Sequence, residues 1–309
     1  MKVNILVLDY NGRDLLAEFL PSVVEAAKAS RHQCRVTVVD NGAAGDSADL
    51  LKNKFPTVSL VKCVENKVLC SYNDVARNID DDIIILLNND IRAEKGFVDP
   101  LVGAFLKSED TFMAASKVLS ISGEPEGSNT RARIKYGIFW ASAKYKGYEA
   151  NLDKEALTFS AGIGAFDRKK FVELGGYDEL YLPGTLEDSD LCFRAWKRGW
   201  QCVYEPKSVI RHMGQVSFHR EFGAKKTRAI NARNLFLFMW KNISDKKIIL
   251  GHIIFTPVRL LYALITGKTE FVSGFFMAIK QFGAARSKRK ELPRQWARTD
   301  AQVFRLFKD

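Results

Sequence analysis

The sequence lacks the cysteine patterns that mark disulfide frameworks and zinc sites. Its five cysteines are an odd number and show no Cys-x-x-Cys spacing, which argues against both a disulfide framework and a zinc knuckle. No Gly-x-Gly-x-x-Gly motif follows the first apolar run, which disfavours a nicotinamide-dependent oxidoreductase. That run is also too short for the apolar region of a signal peptide. We therefore expect a protein of a reducing compartment, the cytoplasm.

Acidic residues are scarce toward the C-terminus. From Lys241 onward the chain has 14 Lys or Arg and 5 Asp or Glu, so the first 240 residues carry only +2 of the total net charge of +11. A basic tail can meet nucleic acid, an anionic membrane or only solvent. The sequence contains no recognisable nucleic-acid-binding module, so we expect no nucleic-acid partner. A non-enzymatic basic binding protein is kept as an alternative.

Short apolar runs alternate with helical patterns in the first 110 residues. The sequence predicts strands at 3–8, 36–40, 58–61 and 83–87, separated by segments with apolar residues at helical spacing. Continuous apolar strands of this kind are typical of a parallel sheet covered by helices on both faces. With an apolar fraction of 47% to fill a core, the chain is expected to adopt an α/β fold.

Polar residues follow three of these predicted strands directly, as Asp9–Gly12, Asp40–Gly42 and Asn88–Asp90. Turn and N-cap chemistry explains any one of these clusters equally well. Three clusters at one edge of a sheet, where α/β proteins bind their ligands, favour a single site. Asp90, which follows the two amides Asn88 and Asn89, suits a hard divalent cation.

A second group of acids lies at the start of a predicted helix near Leu186. Glu187 and Asp188 can simply favour the helix N-terminus, with Thr185 and Asp188 as a capping pair. Alternatively, one carboxylate accepts the proton of an attacking hydroxyl, and the helix terminus keeps it ionised. Farther along, a lone histidine such as His212 is usually a packed residue, but an imidazole can also complete the shell of a metal. The polar segment 121–135 predicts a loop.

In this order, the motifs resemble the inverting glycosyltransferases of family 2 with the GT-A fold, in particular bacterial members that build surface polysaccharides. The resemblance covers residues 2–242. The matching residues are Asp9–Gly12, Val38–Gly42, Glu65-Asn66, Tyr72-Asn73, Leu86–Asp90, Gly175–Glu179, Glu187–Leu191, His212 and Arg233-Asn234.

The resemblance implies a mostly parallel central sheet flanked by helices. It implies a catalytic domain over 1–242, with a nucleotide-sugar half at about 1–110 and an acceptor and catalytic-base half at about 111–242. Residues 243–309 then form a basic, helical extension. The implied donor is a nucleotide sugar, UDP- or dTDP-linked rather than GDP-linked, and the implied acceptor is a saccharide or a lipid-linked saccharide.

The family also implies roles for individual residues. The nucleotide pocket would contain Asp40, on the pyrimidine base, together with Asn11 and Asn73. The diphosphate site would contain Asn88, Asn89 and Asp90, with Mg²⁺ or Mn²⁺ bound by Asp90 and His212. Asp188 would be the catalytic base, with Glu187 beside it.

Two departures from the family pattern stand out. Asn88 occupies a position where an Asp is usual, which suggests weaker metal binding, and Asn66-Lys67-Val68 lacks the usual glycine. A competing interpretation starts from Leu6–Gly12, which resembles the start of haloacid-dehalogenase phosphohydrolases. It would make Asp9 a nucleophile, and it leaves Asp40, Asp90 and Asp188 without roles.

The tail contains an apolar segment at 248–265, interrupted by His252, Pro257 and Arg259, and a second one at 271–279. Apolar helices beside Lys and Arg suit an anionic membrane interface, which would place the protein peripherally on the inner face of the cytoplasmic membrane. An ordinary helical cap on the catalytic domain explains the same pattern equally well.

Overall fold

The computed structural model describes residues 1–42, 46–214 and 216–308. Its strands are β1 (Lys2–Asp9), β2 (Gln33–Asp40), β3 (Ser59–Lys62), β4 (Ile83–Asn88), β5 (Ile91–Ala93), β6 (Thr111–Ser120), β7 (Pro125–Glu126), β8 (Arg131–Lys135), β9 (Ile138–Ser142), β10 (Ala156–Leu157), β11 (Gly164–Asp167) and β12 (Gln201–His212). Its helices are α1 (Arg13–Ala29), α2 (Asp46–Lys54), α3 (Ser71–Arg77), α4 (Val98–Lys107), α5 (Arg168–Glu173), α6 (Glu187–Lys197), α7 (Val216–Asn242), α8 (Lys246–Ile265), α9 (Thr269–Lys280), α10 (Phe282–Glu291) and α11 (Asp300–Arg305).

One large sheet organises the chain in the order β10-β12-β6-β11-β4-β1-β2-β3. The four strands predicted from the apolar runs form its parallel part, since β1 pairs in parallel with both β2 and β4, and β3 pairs in parallel with β2. Strand β11 runs antiparallel between β4 and β6, while β6 and β12 are again parallel to each other. The predicted α/β fold is therefore confirmed, and the antiparallel β11 joins its two halves.

Alternate residues of the central strands enter two separate cores. On β1, Ile5 and Val7 pack with residues of α1, α2 and α4, whereas Leu6 packs with residues of α3, α6, α7 and α9. Successive side chains of a strand point to opposite faces, so a strand made of apolar residues alone can fill both layers. This explains why β4 reads Ile-Ile-Ile-Leu-Leu, with all five side chains buried.

The prediction of a loop over 121–135 is wrong in part. Pro125 and Glu126 pair with β6, and Arg131–Lys135 pairs with β9 to form a separate hairpin. Strand β8 carries three basic residues among five, so its hydrophobic signal is weak. Its stability comes instead from the partner strand and from tertiary contacts, which composition alone does not reveal.

Helices α8 to α11 follow the predicted boundary at residue 242 and share a core with the residues before it. Ala278, Ala285 and Phe304 belong to the same buried cluster as Phe236 of α7. In addition, Lys197 of α6 forms a buried ion pair with Asp300 at the start of α11. The division at 242 stays a prediction, but the extension packs as an integral layer.

Candidate active site

The carboxyl ends of β1, β2 and β4 meet, as the polar clusters predict. Asp9 and Asp40 are register partners, and the backbone N–H of Asn41 donates to the carbonyl of Asp9 at 2.8 Å. The side chain of Asn89 donates to Asp9 Oδ1 at 2.6 Å. Asp9 therefore ties the three strand ends together, through its carbonyl to the end of β2 and through its carboxylate to the residue after β4.

The same contacts argue against a nucleophilic role for Asp9. Its side chain has no exposed surface, and its second oxygen accepts a hydrogen bond from Ser47 Oγ at 2.6 Å. A nucleophile has to reach its substrate, whereas both oxygens of Asp9 are occupied inside the protein. The phosphohydrolase interpretation is thus not supported by the geometry.

Asn11 is exposed at the edge of this junction and has a left-handed backbone, with φ of 52°. The next residue must be glycine, because a Cβ at Gly12 would lie 2.0 Å from Asn89 Nδ2 and 2.6 Å from Asp9 Oδ1. The close approach of Gly12 to Asn89 explains why the motif Asp9–Gly12 ends in a glycine. The tight turn leaves the Asn11 side chain at the surface, where a ligand can reach it.

The loop after β3 is held by amides. Asn41 donates from Nδ2 to Asn66 Oδ1 at 2.7 Å, and the N–H of Val68 donates to the same oxygen at 2.9 Å. Val68 has φ of 49°, a conformation that glycine adopts readily and a β-branched residue rarely does. The backbone therefore keeps the left-handed turn although the usual glycine is missing, and Asn66 stabilises it.

Asp40 is buried, and its carbonyl accepts a hydrogen bond from the N–H of Cys63 at 2.8 Å. A cavity of about 480 Å³ lies beside it, lined among others by Cys63, Glu65, Lys67 and Ser71. Lys67 and Ser71 both hydrogen-bond to the side chain of Asn41. The cavity therefore adjoins the loop that the sequence assigns to the nucleotide.

Asn73 uses its amide within the protein. Its Nδ2 donates to the carbonyl of Tyr177 at 2.8 Å, and its Oδ1 accepts from the N–H of Tyr177 at 2.9 Å. A Cβ at Gly176 would lie 2.1 Å from Asn73 Oδ1. Asn73 thus fastens α3 to the Gly-Gly-Tyr segment of the second half, and its predicted nucleotide contact stays a prediction.

Asp90 and His212 are brought together by the antiparallel pairing of β5 with β12, in which Ile91 is the register partner of His212. His212 Nε2 lies 3.4 Å from Asp90 Oδ2, and its Nδ1 lies 2.9 Å from Glu126 Oε2. Burial by itself lowers the pKa of His212, but the hydrogen bonds and charges of Asp90 and Glu126 together raise it to about 9. Two carboxylates thus favour positive charge at this position.

These residues fit a divalent cation. The other oxygen of Asp90, Oδ1, is buried and has no hydrogen-bond partner among the described residues. Asp90 offers an unsatisfied carboxylate oxygen, and the His212 ring offers a nitrogen donor once the bound cation has displaced its proton. Among the described residues, no three His, Cys, Asp or Glu side chains form a ready-made metal cluster, so further ligands would have to come from substrate and water.

The predicted acid pair begins α6 after an unusual turn. Thr185 and Leu186 have positive φ values of 73° and 67°, and the residue before the helix, Leu186, provides no side-chain cap. The side chain of Asn234 holds this turn by donating to the carbonyls of Gly184 and Thr185 at 2.7 and 2.8 Å. Strained backbone conformations persist only where surrounding contacts fix them, so α7 positions the start of α6.

The helix terminus favours the ionised form of these acids, and burial opposes it. Burial raises the pKa of Glu187 to about 8, with the charge of Asp188 adding to the effect. Burial also raises the pKa of Asp188, although hydrogen bonds from the Ser189 backbone and side chain oppose the shift. Glu187 is buried and its Oε2 has no hydrogen-bond partner among the described residues. Desolvation outweighs the helix dipole here.

Asp190 lies in the same turn, but its charged carboxylate is paired with two cations. Lys241 Nζ is 2.7 Å from Asp190 Oδ1 and also 2.7 Å from Asp178 Oδ2, and Arg194 Nε is 2.8 Å from Asp190 Oδ2. Burial alone would raise the pKa of Asp190, but Lys241 and Arg194 lower it well below the usual range. This network joins α6, α7 and the segment that precedes Glu187.

Sequence reasoning missed several residues of this region. Ser47, Glu126 and Lys241 were not predicted, because each meets its partner only in the tertiary structure. Lys241 offered one usable signal: it stands four residues after Leu237 and therefore continues the buried, apolar face of α7. A lysine on such a face needs a buried partner.

A family comparison agrees with this geometry. The family model described as "Glycosyl transferase family 2" matches residues 5–175, more than half of the chain. The chain belongs to glycosyl transferase family 2. The matched region contains the strand ends, Asn73 and Asp90, while the acid pair and His212 lie beyond it.

Curated relatives of this family 2 chain are distant. It is 28% identical over 149 residues to the probable N-acetylgalactosaminyltransferase 9 of Caenorhabditis elegans, which covers 45% of this chain and 26% of the relative. It is 27% identical over 133 residues to a pre-mycofactocin glycosyltransferase of Mycobacterium tuberculosis, covering 42% of this chain and 27% of the relative. The alignment thus spans only about a quarter of each relative's length.

Two solved structures share the fold of the family 2 chain. GalNAc-T7 with UDP, GalNAc and Mn²⁺ aligns with a TM-score of 0.62 at 15% identity, covering 80% of this chain and 48% of that one. The mannosyltransferase PcManGT from Pyrobaculum calidifontis, in complex with GDP-Man and Mn²⁺, aligns with a TM-score of 0.53 at 15% identity, covering 94% and 84%. Both are glycosyltransferases, which identifies the sheet and helices described above as the GT-A fold.

Proposed function

We propose that this chain is a metal-dependent, inverting glycosyltransferase that moves a hexosyl or deoxyhexosyl group from a nucleotide sugar to an acceptor hydroxyl. The observation that carries the proposal is the buried, unpartnered oxygen of Asp90 next to His212, at the edge where Asp40 and Asn89 also lie. A cation site beside a nucleotide loop serves a diphosphate leaving group.

Asp90 and His212 would hold Mg²⁺ or Mn²⁺, with Asn88 and Asn89 orienting the diphosphate. The presence of Mn²⁺ in both structural neighbours supports this assignment. When bound, the ion would neutralise charge that develops on the leaving diphosphate. Asp40 and Asn11 would contact the nucleotide, for which we propose UDP or dTDP rather than GDP.

Asp188 would act as the base. The acceptor oxygen forms a bond to the anomeric carbon, its proton passes to the Asp188 carboxylate, and the bond from that carbon to the diphosphate oxygen breaks with the electron pair leaving on the nucleoside diphosphate. The raised pKa of Asp188 suits this role, because a more basic carboxylate takes a proton more readily. Glu187 would lie beside it, held protonated in the neutral pH range by its pKa of about 8.

We further propose a saccharide or lipid-linked saccharide as acceptor and a role in bacterial cell-surface polysaccharide synthesis. Both proposals rest on the sequence resemblance. The corresponding location is the cytoplasm, with peripheral contact on the inner face of the cytoplasmic membrane.

The proposed inversion is tested by NMR of the product. The transferred sugar should have the opposite anomeric configuration to that in the donor.

Thermal unfolding with UDP-, dTDP- and GDP-sugars, each with and without Mn²⁺, tests the donor and the metal together. A bound donor stabilises the folded state, so the melting temperature should rise with a UDP- or dTDP-sugar and rise further with Mn²⁺. Asp90→Asn should remove the Mn²⁺-dependent part of the shift. Asp110→Asn is the control, since Asp110 is exposed and precedes β6, away from the site.

Each arm of this experiment can fail separately. A chain that none of the nucleotide sugars stabilises would contradict the proposed transfer. Equal shifts with and without Mn²⁺, or an unchanged metal response in Asp90→Asn, would overturn only the metal assignment. A shift with GDP-sugars alone would overturn the proposed nucleotide preference.

A further inference from the structure

Helix α8 exposes a continuous series of large apolar side chains. It is long and apolar enough to cross a membrane by length and composition, with a mean hydropathy of 1.9, yet only 11% of that stretch is buried. The exposed apolar residues are Leu250, Ile253, Ile254, Phe255, Val258, Leu261, Tyr262, Leu264 and Ile265. Soluble proteins rarely leave such a surface in water, so it marks a contact with another apolar phase.

The opposite face of α8 is fixed to the β8–β9 turn by polar contacts. His252 Nδ1 lies 2.7 Å from the carbonyl of Gly137, and Arg259 donates to the carbonyls of Tyr136 and Lys135 at 2.8 and 2.5 Å. A Cβ at Gly137 would lie 2.4 Å from the carbonyl of Gly251, so the backbones of turn and helix are in direct contact.

These contacts are incompatible with a spanning helix. If α8 crossed a bilayer, it would leave the turn and carry the guanidinium of Arg259 and the imidazole of His252 into hydrocarbon without these partners. A helix that stays against the catalytic half can reach only the surface layer of a membrane. Its orientation is then parallel to the bilayer plane.

Basic residues surround this surface. Lys246 and Lys247 begin α8, Lys268 follows it, and Arg286 and Lys290 lie exposed on α10. Within the described part of the chain, none of these five side chains forms an ion pair. Lys268 Nζ lies 5.4 Å from the ring centre of Tyr262 on the same face. Exposed cations beside an apolar face complement lipid headgroups of negative charge, because the long side chains extend to the headgroups while the apolar residues insert.

Helix α10 also connects this surface to the candidate active site. Arg289 donates to the carbonyls of Trp240 and Ile243 at 3.0 and 2.5 Å, which fastens α10 to the end of α7. Burial lowers the pKa of the neighbouring Lys288, but the charge of Asp178, a hydrogen bond to Glu291 and the charges of Glu291 and Glu179 raise it. Helix α10 is therefore packed on the end of α7, where Lys241 pairs with Asp178 and Asp190.

We propose that α8 lies in the plane of an anionic membrane surface, with the exposed apolar side chains between Leu250 and Ile265 inserted between headgroups and the exposed lysines and arginines on the lipid phosphates. The catalytic half then stays in water. This docking deepens the peripheral location proposed above, on which it rests, and it does not depend on donor or metal.

Vesicle flotation of the purified full-length chain tests the docking. It should float with vesicles of phosphatidylcholine and phosphatidylglycerol, bind those of pure phosphatidylcholine much more weakly, and lose affinity as salt is raised. Ile253→Glu should lower binding at least about tenfold, because a charge then has to enter the interface. Lys246→Glu with Lys247→Glu should weaken binding only to the anionic vesicles.

Leu106→Glu is the matched control. Leu106 and Ile253 are both 63% exposed, but Leu106 lies on α4, which packs on the opposite face of the sheet. Its substitution should leave flotation unchanged. Circular dichroism melting curves check that each variant folds, and the exposed positions chosen should leave the melting temperature unaltered.

Four outcomes would overturn the proposal. The first is that the wild-type chain does not float with anionic vesicles. The second is that Ile253→Glu and Leu106→Glu lose vesicle binding equally. The third is that the bound protein resists an alkaline carbonate wash, which marks a spanning helix. The fourth is a dimer in lipid-free buffer that Ile253→Glu dissociates, since a second copy would then cover α8.

Discussion

Glu187 and Asp190 lie within one turn of α6, yet they have opposite electrostatic environments. Glu187 is buried without a cation, and its pKa rises to about 8. Asp190 is buried between Lys241 and Arg194, and its pKa falls. The same helix terminus and the same depth of burial thus yield a protonated acid in one case and a permanent anion in the other, because only Asp190 has paired charges.

The two environments suit different roles, proton transfer for the acid without a cation and structural stabilisation for the acid that is paired. Asp190 connects α6 to α7 through Lys241 and to the 174–176 segment through Arg194. Neither Glu187 nor Asp188 is paired with a cation among the described residues, so both stay available for proton transfer. A rigid, charge-paired residue holds the helix in place while its neighbours remain reactive.

The largest effect should follow from removing the cation that distinguishes the two acids. Lys241→Met removes the ion pair of the buried Asp178 and one of the two cations beside Asp190, which keeps Arg194, and this should lower the free energy of unfolding by about 5 kcal/mol. Urea unfolding measures the change. Arg77→Met is the control, because the ion pair of Arg77 with Asp74 is largely exposed and contributes about 1 kcal/mol or less. A loss no larger than in this control would contradict the structural role of Lys241.

Asp188→Asn should lower the transfer rate roughly 10³-fold, equivalent to about 4 kcal/mol, because an amide cannot accept the acceptor's proton. Donor binding, measured by thermal shift, should be retained. Transfer is followed with labelled donor and a panel of saccharide and lipid-linked acceptors. Full activity of this variant would overturn the assignment of Asp188 as the base.

Glu187→Gln should change how stability depends on pH. In the folded wild-type chain Glu187 keeps its proton up to about pH 8, whereas the unfolded chain ionises near its usual value of 4.5, so wild-type stability falls as pH rises between these values. Glutamine does not titrate. The variant should therefore gain about 2–3 kcal/mol relative to wild type between about pH 5 and about pH 7. A constant difference across this range would show that Glu187 is not held protonated.

The smallest effect concerns the strand-end junction. Asn89→Ala removes the donor to Asp9 Oδ1 and should lower the free energy of unfolding by about 1–2 kcal/mol, since a buried carboxylate oxygen loses its partner. Asn88→Ala is the neighbouring control. Asn88 forms no side-chain hydrogen bond with any described residue, so Asn88→Ala should leave the free energy of unfolding almost unchanged. Thermal unfolding of both variants measures the two changes. Equal losses for the two variants would mean that Asn89 does not stabilise the junction.

Much of the nucleotide-binding half follows from local sequence. Strand β4 is recognisable because a strand covered on both faces has to be apolar throughout, and the polar residues at its end mark where the sheet becomes accessible. The segment 121–135 was harder to predict. Its short strands gain stability from partners distant in the chain, so neither periodicity nor composition indicates them.

The sequence by itself determined the α/β alternation, the order of the motifs and the placement of polar residues at strand ends, because these depend on spacing and residue type along the chain. The tertiary structure decided which carboxylates are paired and which are desolvated. It brought Lys241 to Asp190 and Glu126 to His212, and it left the apolar face of α8 exposed. Electrostatic environment and exposure depend on neighbours remote in sequence, and only the folded chain specifies them.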